Sequence, residues 1–216
     1  MGAIGIRKGE FKDILFQLSK EAKKLNSRFL NARSKAISSL KKAIEKGKID
    51  EKALPIVKKI NAIGDFFTTS SCSGRIAVLE IPSFGQKRKA RFLGKWHRKV
   101  SFEEVLEALK KAKKGEIWFL VQSPIFHVST ISMGDAKKLL NIANQSGFKY
   151  SSIKTVNGKI VVEILGTERI DAPLGIDGNI YGGEEYIKIL VEIANKMMEK
   201  MEKKLRRLEK NLDLLK

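Results

Sequence analysis

The sequence predicts an α+β fold: antiparallel β-hairpin/helix units, duplicated in outline, set between long N- and C-terminal helices. Three observations predict it. Apolar residues recur at steps of three and four over about thirty residues at each end of the chain. Between those ends lie short apolar runs bounded by Gly, Pro, Asn and Ser, which read as strands joined by turns. No G-x-G-x-x-G follows a strand, and neither a G-x-x-x-x-G-K-[ST] nor a G-x-S-x-G motif occurs, so a doubly wound Rossmann fold is not expected. At 216 residues the chain suits a single domain, 1–216, with N-terminal helices over 1–63, an α+β core over 64–182 and a long C-terminal helix over 183–216.

The first helix runs through Phe11, Leu15, Leu18, Ala22, Leu25, Phe29, Ala32, Ala36, Leu40 and Ile44, and stops at Gly47. Asp50 then caps a shorter helix reaching Ile63, with Pro55 near its first turn. Phe66–Ser71 and Arg75–Ile81 read as a hairpin turning at Ser73-Gly74. Arg91–His97 follows as a third strand. Ser101 and Glu104 form a capping box for a helix whose inner face is Phe102, Val105, Leu106 and Leu109.

The same pattern then recurs. Ile117–Gln122 and Ile125–Thr130 flank Ser123-Pro124, followed by a helix with Ala136, Leu139, Leu140 and Ala143 inward. Tyr150–Thr155 and Lys159–Leu165 form a hairpin turning at Asn157-Gly158, with a last extended piece near Ile170–Leu174. The final helix carries Tyr186, Leu190, Ile193, Met197, Met201, Leu205, Leu208, Leu212 and Leu215. Its methionines are packing material. Helices this long suit packing on each other, on the core, or between subunits, so the oligomeric state stays open.

No apolar run approaches the ~20 residues that span a bilayer, and Met1–Arg7 lacks a signal-peptide core, so a soluble cytoplasmic protein with no membrane partner is expected. The single cysteine, Cys72, excludes a disulfide framework and a multi-thiolate zinc site. No histidine pair has metal-ligand spacing, and no metal is expected. The net charge is +19. Basic residues are densest at Lys87, Arg88, Lys89, Arg91, Lys95, Arg98 and Lys99, a stretch without one acid. Clustered cations of this kind point to a polyanion such as RNA, since each one set on a phosphate releases counterions. A solubilising surface is the alternative.

Thr68-Thr69-Ser70-Ser71-Cys72-Ser73-Gly74-Arg75 carries more hydroxyls than a strand needs. Hydroxyls, a turn glycine and a guanidinium together offer donors to a carboxylate or phosphate. A serine-capped hairpin turn explains the same residues structurally. Cys72 suits shaping the site better than covalent attack. The two histidines, His97 and His127, are the candidate general bases, in that order. His127, among apolar neighbours, equally reads as a satisfied core histidine. Trp96, beside His97, offers a stacking surface for a base or a cation.

Thr68–Arg75 resembles the S-x-S-S-C-x-G-R signature of the N4-methyltransferases of tRNA-Phe wybutosine synthesis, archaeal stand-alone type, with Thr68 in place of the first serine. The resemblance extends through Gly94-x-Trp96-His97, Ser123-Pro124-x-x-His127-Val128, Gly147-Phe148-x-x-Ser151, Arg169–Leu174 and the helix around Asn195. It implies methyl transfer from S-adenosylmethionine to N4 of the 7-aminocarboxypropyl-4-demethylwyosine base at position 37, in the anticodon loop of tRNA-Phe. On that reading Ser70, Ser71, Cys72, Gly74, Arg75 and Trp96 hold the methyl donor. His97 or His127 takes the proton, and the cationic stretch holds loop phosphates. A non-catalytic RNA-binding module and an anion-binding scaffold are the competing readings of the same features.

Overall fold

A computed structural model describes residues 8–83, 89–156 and 159–215. Its elements are α1 (Lys8–Glu45), α2 (Leu54–Ala62), β1 (Phe66–Cys72), β2 (Arg75–Ile81), β3 (Arg91–Trp96), α3 (Phe102–Leu109), β4 (Glu116–Gln122), β5 (Ile125–Thr130), α4 (Met133–Gln145), β6 (Ser152–Thr155), β7 (Ile160–Leu165), β8 (Arg169–Ile176), β9 (Asn179–Ile180) and α5 (Gly183–Asn211), closed by a 3-10 turn at Leu212–Leu215. The Asn157-Gly158 turn and the cations Lys87 and Arg88 lie outside the described residues.

The strands form two antiparallel sheets, ordered β1-β5-β7-β6 and β3-β2-β4-β8-β9. The α+β class and the non-Rossmann topology are thus as the sequence predicts, but two strand pairings are not. β1 pairs with β5 and β2 pairs with β3 and β4, so Ser73-Gly74 is a passage between sheets and not a hairpin turn. Ser123-Pro124 likewise carries the chain from β4 in one sheet to β5 in the other. The physical reason is visible at Ser73. The Asp50 carboxylate accepts from its backbone N–H at 2.5 Å and from its hydroxyl at 2.9 Å, satisfying donors that a hairpin would have paired otherwise. Gly74 adopts φ +90°, and a Cβ there would meet Met201 Sδ at 2.7 Å and the Gln122 carbonyl at 3.0 Å.

One helix joins the two sheets. The first sheet, β1-β5-β7-β6, packs Phe126, Val128, Val162 and Ile164 against α2, α4 and the end of α5. The second packs Ile76, Val78, Phe119 and Val121 against α3 and the earlier turns of α5. The buried stripe of α5 is Ile187, Leu190, Val191, Ala194, Met198, Met201, Leu205 and Leu208, whereas Tyr186 and Ile193 are exposed. A strict step of three or four drifts around a 3.6-residue helix, which is why the predicted stripe is partly offset.

The capping box forms as predicted: Glu104 N–H donates to the Ser101 hydroxyl, and Ser101 N–H donates to the Glu104 carboxylate. The α1 helix docks through Phe29, whose ring lies 5.1 Å from that of Phe67, and through Arg33, which donates to the carbonyls of Phe66 and Asn61. Among the described residues no helix is long and apolar enough to cross a membrane.

Candidate functional site

The chain passes between the sheets three times, at Ser73-Gly74, Ser123-Pro124 and Gly166–Glu168. The three passages lie side by side. The Ser123 hydroxyl donates to the Gly166 carbonyl at 3.2 Å, and Gly166 N–H donates to the Pro124 carbonyl at 3.2 Å. Beneath the third passage the Glu168 carboxylate, 2% exposed, meets Lys204 at 2.7 Å and Lys200 at 3.2 Å. Where the sheets diverge from these passages a cavity of about 390 Å³ opens. Its walls include Cys72, Arg75, Gln122, Ser123, Ile125, Tyr150, Leu165, Thr167, Arg169 and Asp171.

Arg75 is held at the cavity wall. Its Nε donates to the Gln122 side-chain carbonyl at 2.5 Å, and its guanidinium lies 5.2 Å from the ring centre of Phe92. Phe92, not Trp96, is the aromatic on this face. Trp96 pairs with Ile76, one step out of alternation with Arg75, and packs against the buried core side of its sheet with its ring over Gly94. Trp96 is half-buried, and it is not among the residues that line the cavity. Ser71 shares the register position of buried Phe126 and also lies on the sheet face away from the cavity.

Behind Cys72 sits a second cluster. His97 follows β3, and its Nδ1 lies 2.9 Å from the Gly74 carbonyl, 3.2 Å from the Asp50 carboxylate and 3.7 Å from the Cys72 sulfur. The carbonyl and the carboxylate are both acceptors, so Nδ1 carries the proton and Nε2 presents the lone pair. Nε2 has no hydrogen-bond partner among the described residues. A base held in one tautomer by a carboxylate is the arrangement general-base catalysis requires.

Asp50, Cys72 and His97 also place three ligand-type atoms within 4.8 Å of one another, the one grouping among the described residues with donors for a metal ion. Spacing in the sequence does not reveal it, because the three come from separate elements. As hydrogen-bonded here, His97 Nδ1 would have to leave the Gly74 carbonyl to ligate. Burial pushes the Cys72 thiol up from its ordinary range; the Gly74 backbone and the Arg75 charge oppose that without reversing it. The thiol is therefore a neutral wall of the cavity at neutral pH.

His127 lies on the open face of the other sheet, one row beyond the cavity. Its Nε2 donates to Glu163 at 2.8 Å and its Nδ1 accepts from the Ser70 hydroxyl at 2.8 Å. Burial alone would raise the Glu163 carboxyl, but hydrogen bonds and charge from Lys154 and His127 hold it below the usual carboxylate range. Both ring nitrogens of His127 are thus engaged, whereas His97 keeps Nε2 without a partner among the described residues; neither histidine lines the cavity.

The cationic stretch is divided by the fold. Arg91 donates from Nε and Nη2 to one oxygen of buried Glu80 at 3.0 and 2.7 Å, Arg98 is bidentate on Glu104 at 3.0 and 2.6 Å, and Lys99 meets Glu199 at 2.9 Å. Lys89 and Lys95 are exposed, with Lys95 over the Phe92 ring. Nothing in the sequence marks Asp50 for a site role, since it reads as a helix cap. A second cationic surface appears on α5, where Lys203, Arg206, Arg207 and Lys210 line a shallow hollow of about 490 Å³. Steps of three and four put these four on one helix face, a signal present in the sequence but diluted by the helix's acids. A further cavity between α1 and the first sheet, about 470 Å³ and walled by Leu25, Phe29, Phe67 and their neighbours, is lined by no acid, thiol or histidine among the described residues.

Comparison with known proteins places this geometry. Residues 31–214 match the family model described as Methyltransferase TYW3. A Pyrococcus horikoshii protein named tRNA(Phe) 7-((3-amino-3-carboxypropyl)-4-demethylwyosine(37)-N(4))-methyltransferase 1 is 53% identical over 188 residues, covering 87% of this chain and 96% of the relative. A Methanocaldococcus jannaschii protein, named as the same methyltransferase without the final number, is 41% identical over 190 residues, covering 87% and 98%. A solved Pyrococcus horikoshii structure superposes with a TM-score of 0.82 at 53% identity, over 85% of this chain and 95% of that one. An Aeropyrum pernix hypothetical protein does so with a TM-score of 0.66 at 27% identity, over 77% and 98%. Matched along most of its length by the family model and by relatives of this identity, the chain belongs to the TYW3 methyltransferase family.

Proposed function

We propose that this protein transfers a methyl group from S-adenosylmethionine to N4 of the 7-(3-amino-3-carboxypropyl)-4-demethylwyosine base at position 37 of tRNA-Phe, in the anticodon loop. The relatives' names supply the acceptor. The observation in this chain that carries the reading is the cavity at the three inter-sheet passages, with Arg75 on its wall and the Asp50–His97 pair behind Cys72.

The donor set fits S-adenosylmethionine: the Arg75 guanidinium for a carboxylate, the Ser123 hydroxyl, and Ile125, Leu165 and Tyr150 for a flat ring, in a volume within the usual range for ligand sites. When bound, it supplies an electrophilic methyl on a sulfonium. Arg75, braced by Gln122 and Phe92, would hold its carboxylate. As the sulfonium's S–CH3 bond breaks to leave a neutral thioether, the methylated nitrogen would release its N–H proton to His97 Nε2, with Asp50 stabilising the imidazolium. Holding the two reactants in line supplies much of the remaining acceleration. An unstacked base is open to such a site because an anticodon loop is single-stranded. Lys89, Lys95 and the α5 cations are the phosphate-binding surfaces.

The experiment is single-turnover transfer from labelled S-adenosylmethionine to tRNA-Phe carrying the unmethylated tricyclic base. Wild-type protein should label the base, His97→Ala should lose most of the rate, and His127→Ala should retain more of it. Tight tRNA binding with no transfer by the wild type would leave an RNA-binding module in place of an enzyme. Undiminished transfer by His97→Ala between pH 6 and 9 would remove His97 as the base.

A further inference from the structure

Arg75, Gln122 and Arg169 occupy one register row across β2, β4 and β8, because Arg75 pairs with Gln122 and Gln122 pairs with Arg169. The next row on the same face is Ala77, Leu120 and Asp171. The cavity is therefore edged by two guanidiniums, one on each side of a glutamine, with a carboxylate beside the second.

The two arginines are not equivalent. Arg75 is braced by an amide and a ring, and among the described residues it forms no ion pair. Arg169 forms an ion pair with Asp171, two positions along the same strand. That pair is open to solvent, the Arg169 side chain being 77% exposed and the Asp171 side chain 37%. Ion pairs so exposed add about 0–1 kcal/mol at most, so stability gives little reason for one at the mouth of a cavity. A cation and an anion set side by side match an α-amino acid head, in which a carboxylate and an ammonium flank one carbon.

We propose that Arg169 and Asp171 form a subsite for the α-amino-carboxylate head of a 3-amino-3-carboxypropyl group, separate from the anion site at Arg75. This rests on the function proposed above, in which both reactants carry that group: S-adenosylmethionine as its amino-acid tail, and the acceptor base as its side chain. Two guanidiniums in one cavity suit two carboxylates. Arg169 takes the carboxylate, Asp171 takes the ammonium, and the Arg169–Asp171 contact opens to admit them.

The test uses Arg169→Ala, Asp171→Asn and the exchange Arg169→Asp with Asp171→Arg, in three measurements. The first is S-adenosylmethionine affinity by calorimetry without tRNA. The second is affinity for tRNA-Phe bearing the aminocarboxypropyl base relative to the same tRNA bearing 4-demethylwyosine. The third is methyl transfer by the wild type.

Loss of one charge-assisted contact should weaken one of the two affinities about tenfold. A weaker calorimetric affinity assigns the subsite to the methyl donor, and a lost preference for the aminocarboxypropyl tRNA assigns it to the acceptor. Either result supports the subsite. The exchange variant should behave like Arg169→Ala although it keeps an ion pair, because the order of the charges along the strand is reversed. Unchanged values in both affinities, with the wild type still transferring methyl, would overturn the subsite alone. A wild type that binds no S-adenosylmethionine and transfers nothing would sink the underlying function, and the subsite with it.

Discussion

The carboxylate of Asp50 stands 3.2 Å from Nδ1 of His97, joining the segment before α2 to the end of the edge strand β3. The same carboxylate holds Ser73 by its backbone and hydroxyl, so one side chain both fixes the passage between the sheets and orients the base. Asp50→Asn removes the negative charge beside His97 and leaves one oxygen where two now serve Ser73 and Nδ1. The Gly74 carbonyl still holds the proton on Nδ1, so what is lost is the carboxylate's stabilisation of the imidazolium. The expected result is a loss of transfer rate of about 10²-fold or more with S-adenosylmethionine affinity within twofold of wild type, measured by single-turnover kinetics and calorimetry. Equal rates for the two proteins would show that Asp50 serves the fold alone.

Cys72 lines the cavity as a neutral thiol. Burial raises its pKa above the ordinary 9.0, Asp50 raises it further, and the Gly74 backbone and Arg75 only partly offset them. Because the thiolate is the reactive form, iodoacetamide should modify native protein slowly at pH 7, with a rate that climbs only above pH 9. Urea-unfolded protein should react faster at every pH below that. Rapid labelling of the folded protein at pH 7, followed by mass spectrometry, would mark Cys72 as an activated nucleophile and reopen covalent catalysis.

Helices and strands were largely legible in the sequence because each depends on local periodicity, as the capping box at Ser101 and the stripe of α4 illustrate. Pairing was not. A two-residue link such as Ser73-Gly74 carries the composition of a hairpin turn whether the flanking strands meet or diverge. Asp50, far away in sequence, decides between the two outcomes. The site followed the same division. Arg75, Cys72 and His97 stand out by residue type, but only three-dimensional placement shows that Trp96 packs toward the core, that Phe92 lies against Arg75 and that Arg169 lines the cavity. Charge density also misled locally, since Arg91 and Arg98 answer Glu80 and Glu104.

Glu168 and Lys204 form a buried pair under the third inter-sheet passage, with side chains 2% and 5% exposed. Lys204 also donates to the hydroxyl of Thr167, which lines the cavity. Burial alone would raise the Glu168 carboxyl, but the hydrogen bond and charge of Lys204, with help from Lys200, hold it below 4.5. Its folded pKa is thus lower than its unfolded one. The stabilisation is complete above pH 4.5 and is lost as pH falls through the folded value. Glu168→Gln leaves Lys204 buried without its partner and should cost about 3–5 kcal/mol at pH 7 in urea unfolding. The gap between the two proteins should narrow below pH 4.5, as the wild type protonates. A gap independent of pH would mean that the glutamine disturbs packing and not charge.

Lys203, Arg206, Arg207 and Lys210 share one face of α5, while the neighbouring acids Glu199 and Glu202 are drawn aside by Lys99 and Lys52. Arg207 also approaches Gly147, three residues before Tyr150 on the cavity wall. A phosphate-binding role makes a quantitative statement about salt. Each phosphate contact removed should lower the magnitude of the slope of log K against log salt by about 0.7 to 0.9, and should weaken binding alike for any tRNA. Lys203→Gln with Arg207→Gln should therefore reduce the slope by roughly 1.5 while leaving S-adenosylmethionine affinity and the preference for the tricyclic base unchanged. Filter binding of tRNA-Phe and of an unrelated tRNA across a salt series reads both quantities. A slope equal to that of the wild type would remove α5 from the RNA interface. The exposed cations nearer the cavity, Lys89 and Lys95, would then have to carry the phosphate contacts, and the same two substitutions made there would have to produce the missing change.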